Sequence, residues 1–401
     1  MYSRNTYLRQ IEPFLGKPVI KVITGMRRVG KSAFLQLLAD HFREHRATPA
    51  DHILFIDKES LEFDDIVTYR DLHARAKAAL AGKTGHKLLL VDEIQEIQQW
   101  ERAIASLAKD PSLDIVITGS NAHLLSSELA TLLSGRYVEF PIYTLSLSEF
   151  LQFRDRPPEH AQQLFPDYLK YGGLPGLSQF APDQQVVYPY LNAIYNTILL
   201  KDVVKRNQVR NVAQLESIAR YLFDNIGNIT AASRIAQFVR SQRLTLSVDT
   251  VQSYLRFFTD AFVAYRVARY DLKGKRLLEI HEKYYLGDVG LRHALLGYRE
   301  GDISGILENV VYLELRRRGY DVCIGKLGDT EIDFIATRQS EKLYIQVAYL
   351  LASADTIARE LAPLQAIPDN YPKLILSLDT AFGHDLNGIV RKNLVDWLME
   401  P

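Results

Sequence analysis

The 401-residue sequence contains one cysteine, Cys323. A lone thiol excludes an internal disulfide and any cysteine-rich metal centre. No apolar run reaches the roughly 20 residues that span a bilayer. The polar start Met1-Tyr2-Ser3-Arg4-Asn5 leads into no apolar signal core. A cytoplasmic location without a membrane partner is the expectation. There is also no excess of either charge, with 48 Lys and Arg against 48 Asp and Glu. The composition is that of an ordinary globular chain, long enough for roughly two to four domains.

The balanced total hides an uneven distribution. Residues 201–276 carry 14 Lys and Arg against 6 Asp and Glu, whereas residues 277–401 carry 13 against 19. A basic middle segment suits a nucleic-acid-facing module. It equally suits a basic face docked on acidic domains of the same chain, and both readings stay open.

The chain is organised around Gly25-Met26-Arg27-Arg28-Val29-Gly30-Lys31-Ser32, which has the P-loop spacing. Val19–Ile23 reads as a buried strand feeding the loop. Ser32 to about His45 reads as a helix with Phe34, Leu35, Leu37, Leu38 and Phe42 inward. This order has a chemical purpose. Glycines let backbone N–H groups turn around phosphate oxygens, and the helix N-terminus adds donors and a positive dipole end. The nucleotide-binding stretch runs from Gly25 to Ala33. Lys31 is expected on the β- and γ-phosphates, and the Ser32 hydroxyl on Mg²⁺. ATP and Mg are the expected ligands, and no guanine-reading motif is evident.

Three further features follow in order. His52–Ile56 reads as a strand, and Leu88–Val91 as another that ends in Asp92-Glu93. Asp92 is placed for Mg²⁺ and Glu93 to polarise the attacking water. Asp114–Thr118 reads as a fourth strand, followed by Gly119-Ser120-Asn121. A polar side chain there, Ser120 or Asn121, would lie beside the γ-phosphate; capping of the next helix is the alternative. A short helix from Leu124 to Leu133 is expected to end at Gly135, followed by Arg136 and the strand Tyr137–Phe140. Arg136 is a candidate for stabilising charge on the transferring phosphoryl group, in cis or from a neighbouring subunit; a solvated surface arginine is the alternative. A trans role would require a homo-oligomer.

The succession of P-loop, Asp-Glu, polar strand end and Gly-Arg resembles the archaeal-type AAA+ ATPases. The resemblance covers nearly the whole chain and implies an α/β fold in four parts. A parallel three-layer P-loop ATPase core takes residues 1–150 and a helical lid 151–208. A winged helix takes 209–300, and a restriction-endonuclease-like α/β domain 301–401. Tyr171-Gly172-Gly173-Leu174-Pro175 resembles the family's Gly-Gly-x-Pro element, read either as an ordinary loop or as a hinge. A long helix is expected over Asn192–Arg206.

In the middle segment, Leu215–Phe223 and Ser233–Phe238 read as helices. A third runs to Phe258, capped by Ser247 or Asp249 after Leu244-Thr245-Leu246. Tyr265–Tyr270 and Lys283–Leu286 read as wing strands around Lys273-Gly274-Lys275-Arg276. Such a module would present Arg256 and the basic tip to double-stranded DNA; a rigid adaptor, or a site for an unidentified protein partner, is the alternative. The nuclease-like fold places a Glu on its first helix, an Asp on its second strand and Glu-x-Lys on its third. The first two map to Glu308 and Asp333, but the third reads Gln346-Val347-Ala348. Two carboxylates without that lysine suggest a vestigial metal site. The resulting expectation is an ATP-hydrolysing protein. The alternatives are a nucleotide-gated switch with little turnover and an ATP-dependent metal nuclease.

Overall fold

A computed structural model describes residues 2, 4–125, 133, 135–241, 246–380 and 385–400. The chain divides into two units, Met1–Tyr143 with Asp260–Phe262, and Thr144–Thr259 with Val263–Pro401.

The first unit opens with helix α1 (Asn5–Ile11) and alternates strands with helices. These are β1 (Ile20–Thr24), α2 (Lys31–His45), β2 (Ile53–Asp57), α3 (Tyr69–Ala79), β3 (Lys87–Asp92), α4 (Trp100–Leu107), β4 (Leu113–Gly119) and β5 (Tyr137–Pro141). The strands form one parallel sheet in the order β2-β3-β4-β1-β5. Every residue of β1 and β4 is buried, as the near-continuous apolar runs of a doubly covered parallel sheet require. The exceptions are instructive. Lys21 of β1 is buried and ion-paired with Asp114 of β4, which also accepts from Gly16 N at 2.5 Å. A charged pair thus crosses the β1–β4 seam in place of apolar packing.

Helices α3 and α4 cover one face, contributing Leu72, Ala76, Trp100, Ala103, Ile104 and Leu107 to the core. Helix α3 begins at a Thr68–Asp71 capping box, which satisfies two otherwise orphaned N–H groups. After β4, Ala122–Leu125 makes a 3-10 turn. Residues 126–132 of the helix expected from Leu124 to Leu133 lie outside the described residues.

The second unit begins with helices α5 (Leu147–Gln152), α6 (Ala161–Tyr171) and α7 (Gln184–Thr197). The helix expected over Asn192–Arg206 is corrected here. The α-helix starts at Gln184, because the Asp183 carboxylate accepts from Gln185 N at 2.8 Å. From Ile198 to Lys205 the backbone winds as a π-helix instead. Next come α8 (Val212–Asp224), α9 (Ala232–Ser241) and α10 (Val248–Asp260). Ser247 is the cap of α10, accepting from Thr250 N at 3.1 Å; Leu244 and Thr245 fall outside the described residues.

The hairpin β6 (Ala264–Asp271) and β7 (Arg276–Leu286) is followed by α11 (Val289–Leu296) and α12 (Ile303–Arg317). Strands β8 (Asp321–Leu327), β9 (Thr330–Arg338) and β10 (Glu341–Val347) precede helix α13 (Ala354–Gln365) and β11 (Lys373–Ser377). Strand β12 (Ile389–Asn393) and helix α14 (Leu394–Met399) complete the order. Seven strands form one mixed sheet, β12-β11-β10-β9-β8-β6-β7. The hairpin joins it through parallel pairing of β6 with β8, Tyr270 opposite Gly325. The sheet therefore runs across the boundary drawn at residue 300 from sequence.

The Gly172-Gly173 turn is a tight packing joint. Gly172 has φ +80, and a Cβ on it would lie 2.1 Å from Asp288 Oδ1; one on Gly173 would lie 2.6 Å from Leu145 O. Asp288 caps α11, accepting from Gly290 N at 2.9 Å and Leu291 N at 3.3 Å, and also takes Gly173 N at 2.8 Å. Gly172 is needed because the buried carboxylate occupies the space of its side chain, and Gly173 because the Leu145 backbone does.

Candidate nucleotide-binding site

The site lies where β1, β4 and β3 end. In a parallel sheet these C-terminal ends are where side chains from adjacent strands meet. Strand β4 separates β1 from β3, so its end falls between the P-loop and the Asp-Glu pair.

The loop after β1 is built from unusual backbone. Gly25 has φ +146, Arg28 +70 and Gly30 +97. A Cβ on Gly25 would sit 2.2 Å from Ile142 O, so only glycine fits. Lys31 opens α2, and its Nζ donates to Gly25 O at 3.1 Å and Met26 O at 3.3 Å. The same ammonium lies 3.4 Å from Glu93 Oε1. Met26 and Val29 are buried under the loop, whereas Arg28, Ser32 and Ala33 are exposed. The loop thus turns one side to the core and offers the first turn of α2 outward.

Asp92 ends β3 and is buried. Burial pushes its carboxyl up, against hydrogen bonds from Ser32 and Thr118 that favour the ionised form. Thr118 of β4 works in both directions. Its hydroxyl donates to Asp92 Oδ1 and accepts from Glu93 N at 3.0 Å. Glu93 adopts a left-handed φ of +51, uncommon for a non-glycine, and Thr118 holds it there.

The Glu93 carboxylate is enclosed. Ser120 Oγ donates to Oε2 at 3.0 Å, Gln95 Nε2 donates to the same oxygen, and Arg27 lies 4.0 Å away. Burial raises its pKa, but Lys31 and Arg27 first, then Gln95 and Ser120, bring it below the usual value. Glu93 is therefore an anion at neutral pH. Arg27 also reaches Glu59 Oε1 at 2.7 Å, tying the segment after β2 to the loop. Asn121 is buried directly after Ser120.

Arg136 is placed differently. Its carbonyl accepts from Ile20 N at 2.8 Å, so it stands at the N-terminal end of β1. The P-loop leaves the other end, roughly 16 Å of strand away. That placement favours supply by a neighbouring subunit, or a solvated surface arginine, over a role in cis.

One anchoring residue went unrecognised in the sequence. Arg4, buried ahead of α1, donates to Val29 O and to Tyr143 O, each at 3.0 Å, and stacks 4.5 Å above the Tyr7 ring. Tyr7 Oη accepts from Tyr143 N at 3.1 Å. An arginine before a short helix carries no motif, so nothing in the sequence marks it.

Glu308 of α12 and Asp333 of β9 both stand near Lys283 of β7 in the second unit. Among the described residues, no group of three or more His, Cys, Asp or Glu side chains is arranged to hold a metal ion. Also among the described residues, no helix is long and apolar enough to cross a membrane.

The first site suits a Mg-bound nucleoside triphosphate. The cradle at Gly25 closes to any side chain, Lys31 supplies a buried ammonium, and Asp92 sets a carboxylate beside the Ser32 hydroxyl. Comparison with known proteins bears on the family. A family model described as an AAA domain matches residues 17–151, and one described as a domain of unknown function (DUF8612) matches residues 162–302. An uncharacterized protein of Haemophilus influenzae is 37% identical over 402 residues, covering 100% of this chain and 99% of the relative. An uncharacterized protein of Methanocaldococcus jannaschii is 31% identical over 375 residues, covering 90% and 81%. Among solved structures, a Walker-type ATPase of Pyrococcus abyssi matches with a TM-score of 0.51 at 16% identity. That match covers 74% of this chain and 96% of the other, and it speaks to the fold alone. With these relatives and this loop, the chain belongs to the AAA-type family of P-loop ATPases.

Proposed function

We propose that the chain binds ATP and hydrolyses it to drive conformational change. The observation that carries this is the meeting of Lys31, Glu93 and Ser120 at three adjacent strand ends. The loop N–H groups and Lys31 hold the β- and γ-phosphates. When the phosphates draw Lys31 away, the Glu93 carboxylate loses its nearest cation and becomes a stronger acceptor for the proton of an attacking water. Ser120 keeps that carboxylate oriented. Mg²⁺, held by Ser32 and Asp92, would neutralise charge on the phosphates. Arg136 acts only if a second copy brings it to the site. A lone chain is accordingly a slow hydrolase, which favours a nucleotide-gated switch with little turnover as the second reading.

We read α8–α10 with the β6–β7 hairpin as a winged helix, and α12 to β12 as a restriction-endonuclease-like domain. A cleft of about 670 Å³ lies between α10 and the hairpin, lined by Ser233, Gln252, Ser253, Arg256, Arg266 and His281 among others. Together with the basic balance of residues 201–276, it supports contact with duplex DNA. Metal-dependent cleavage loses support, because Ala348 stands where a catalytic lysine is expected and Lys283 is paired with Glu308.

The test is steady-state ATP hydrolysis with and without duplex DNA, using Lys31→Ala as the blank. Stimulation that fades with salt, as counterion release requires, supports a DNA-responsive ATPase. Turnover indifferent to DNA turns the proposal toward a protein partner. No turnover above the blank, with ATP binding intact, selects the switch.

A further inference from the structure

The second unit contains a charged cluster that the nucleotide site does not use. Lys283 points from β7 into the gap between α12 and β9. Its Nζ lies 2.7 Å from Glu331 Oε1 and 3.1 Å from Glu308 Oε2, with its side chain only 4% exposed. Tyr285 Oη donates to the same Glu308 oxygen at 2.7 Å. Arg269 approaches Glu331 at 3.9 Å from the outside. Asp333 is buried alongside, its Oδ2 accepting from Val347 N at 2.8 Å. Burial works against the Lys283 ammonium, but Glu308, Asp333 and Glu331 reverse this and hold it above the usual lysine range. Burial, then the Glu308 charge, push Asp333 well above the usual carboxyl range, against Lys283.

The neighbouring groups are turned away from any ion. Gln346 Oε1 accepts from Asp333 N at 3.4 Å, and its Nε2 donates to Glu360 at 3.2 Å. Gly227 closes the pocket: a Cβ there would lie 3.1 Å from Glu308 Oε2. Two carboxylates, Glu308 and Glu331, therefore clamp a cation beside the buried Asp333, and that cation is covalently attached.

We propose that Lys283 is the resident cation of this pocket. With the ammonium in place the carboxylates are not arranged around a metal. The ammonium occupies the position between Glu308 and Glu331, beside Asp333, that a divalent cation would need, and removing it opens a divalent-cation site. An ammonium donates its hydrogens to the carboxylates and carries no exchangeable water. Part of the pocket's negative charge is thus offset without any means of activating water. It is also immune to chelation, and it ties β7, α12 and β9 together at one point. This inference involves no nucleotide, so it stands or falls separately from the ATPase reading.

Thermal melting of the nucleotide-free full chain tests it, with Mn²⁺ and EDTA as probes. Wild type should melt at the same temperature in both. Lys283→Met should melt lower in EDTA and recover on adding Mn²⁺, and Glu308→Gln added to it should abolish that recovery. Lys283→Arg, which keeps the charge, should stay close to wild type and ignore Mn²⁺. A wild-type chain stabilised by Mn²⁺ through Glu308 would overturn the proposal. So would a Lys283→Met chain that Mn²⁺ fails to stabilise, or fails to rescue if it is insoluble. So would a Lys283→Arg chain as unstable as Lys283→Met.

Discussion

Lys31 Nζ lies 3.4 Å from Glu93 Oε1, so the cation proposed to bind phosphate and the carboxylate proposed to act on water are held against each other. The other acceptors of Lys31 are carbonyls of its own loop, and Glu93 also accepts from Ser120 Oγ at 3.0 Å. Phosphate oxygens compete for the same ammonium. In the proposed mechanism, nucleotide binding and release of Glu93 are in this way one event.

That coupling separates two substitutions. Lys31→Ala removes the phosphate ligand and should weaken ATP binding at least tenfold. Glu93→Gln keeps the shape, removes the base and frees Lys31, so ATP binding should persist or tighten. Turnover should fall by about 10² to 10⁴, the usual contribution of a general base. Equilibrium binding of a fluorescent ATP analogue beside steady-state phosphate release checks both. Undiminished turnover in both variants would remove the site assignment.

Arg4 offers a second test away from the chemistry. Arg4→Ala leaves the carbonyls of Val29 and Tyr143 without their buried donor. One such loss costs about 1–3 kcal/mol, and Val29 belongs to the P-loop. The expected outcome is a lower denaturation midpoint with a raised KM for ATP and a kcat changed less. Arg4→Lys should recover only part, because a single ammonium cannot reach both carbonyls as the guanidinium fork does.

The parts legible in the sequence were those where backbone chemistry restricts residue choice. Gly25, Gly30 and Lys31 are dictated by a loop that no other residues build, and the apolar run Leu88–Val91 can only be a buried parallel strand. The order of these segments placed Asp92, Glu93 and Ser120 near the loop before any geometry was known. What stayed hidden depends on contacts distant along the chain. Arg4 reaches Tyr143 across 139 positions, and Lys283 meets Glu308 only because β6 pairs with β8. Strand β12, Ile-Val-Arg-Lys-Asn, is polar and buries fully only its two end residues, so its pattern reads as loop. The π-helical turn after Thr197 has the periodicity of the α-helix it continues.

The Gly172 joint predicts a steric outcome. Gly172→Ala would put a methyl 2.1 Å from Asp288 Oδ1 at a φ of +80. Strain and overlap act together, so the loss should exceed the roughly 1 kcal/mol of an ordinary helix glycine change. Chemical denaturation should show a lower midpoint with an unchanged slope. Combining it with Asp288→Ala, which removes the obstructing carboxylate, should cost less than the sum of the two single changes.

Asp288 also predicts a pH dependence of stability. Burial raises its carboxyl to about 7, against the three backbone N–H groups that favour the anion. The folded pKa therefore lies above the unfolded value of about 3.9. Between these values the folded chain holds a proton that the unfolded chain has released, so stability falls as pH rises. The full span corresponds to an upper bound of about 4 kcal/mol at 1.36 kcal/mol per unit. His293 acts in the opposite sense, because burial lowers its pKa to about 4 and the unfolded chain then binds the extra proton. A single stability curve mixes the two, and the difference between wild type and Asp288→Asn isolates one. Asparagine still caps α11 through its amide oxygen, and the bond from Gly173 N is lost to the amide nitrogen, an offset that does not vary with pH because asparagine does not titrate. Denaturation midpoints of both chains from pH 4 to pH 8 should show wild type losing stability relative to Asp288→Asn across that window. Parallel curves would mean that the three N–H donors keep Asp288 ionised throughout.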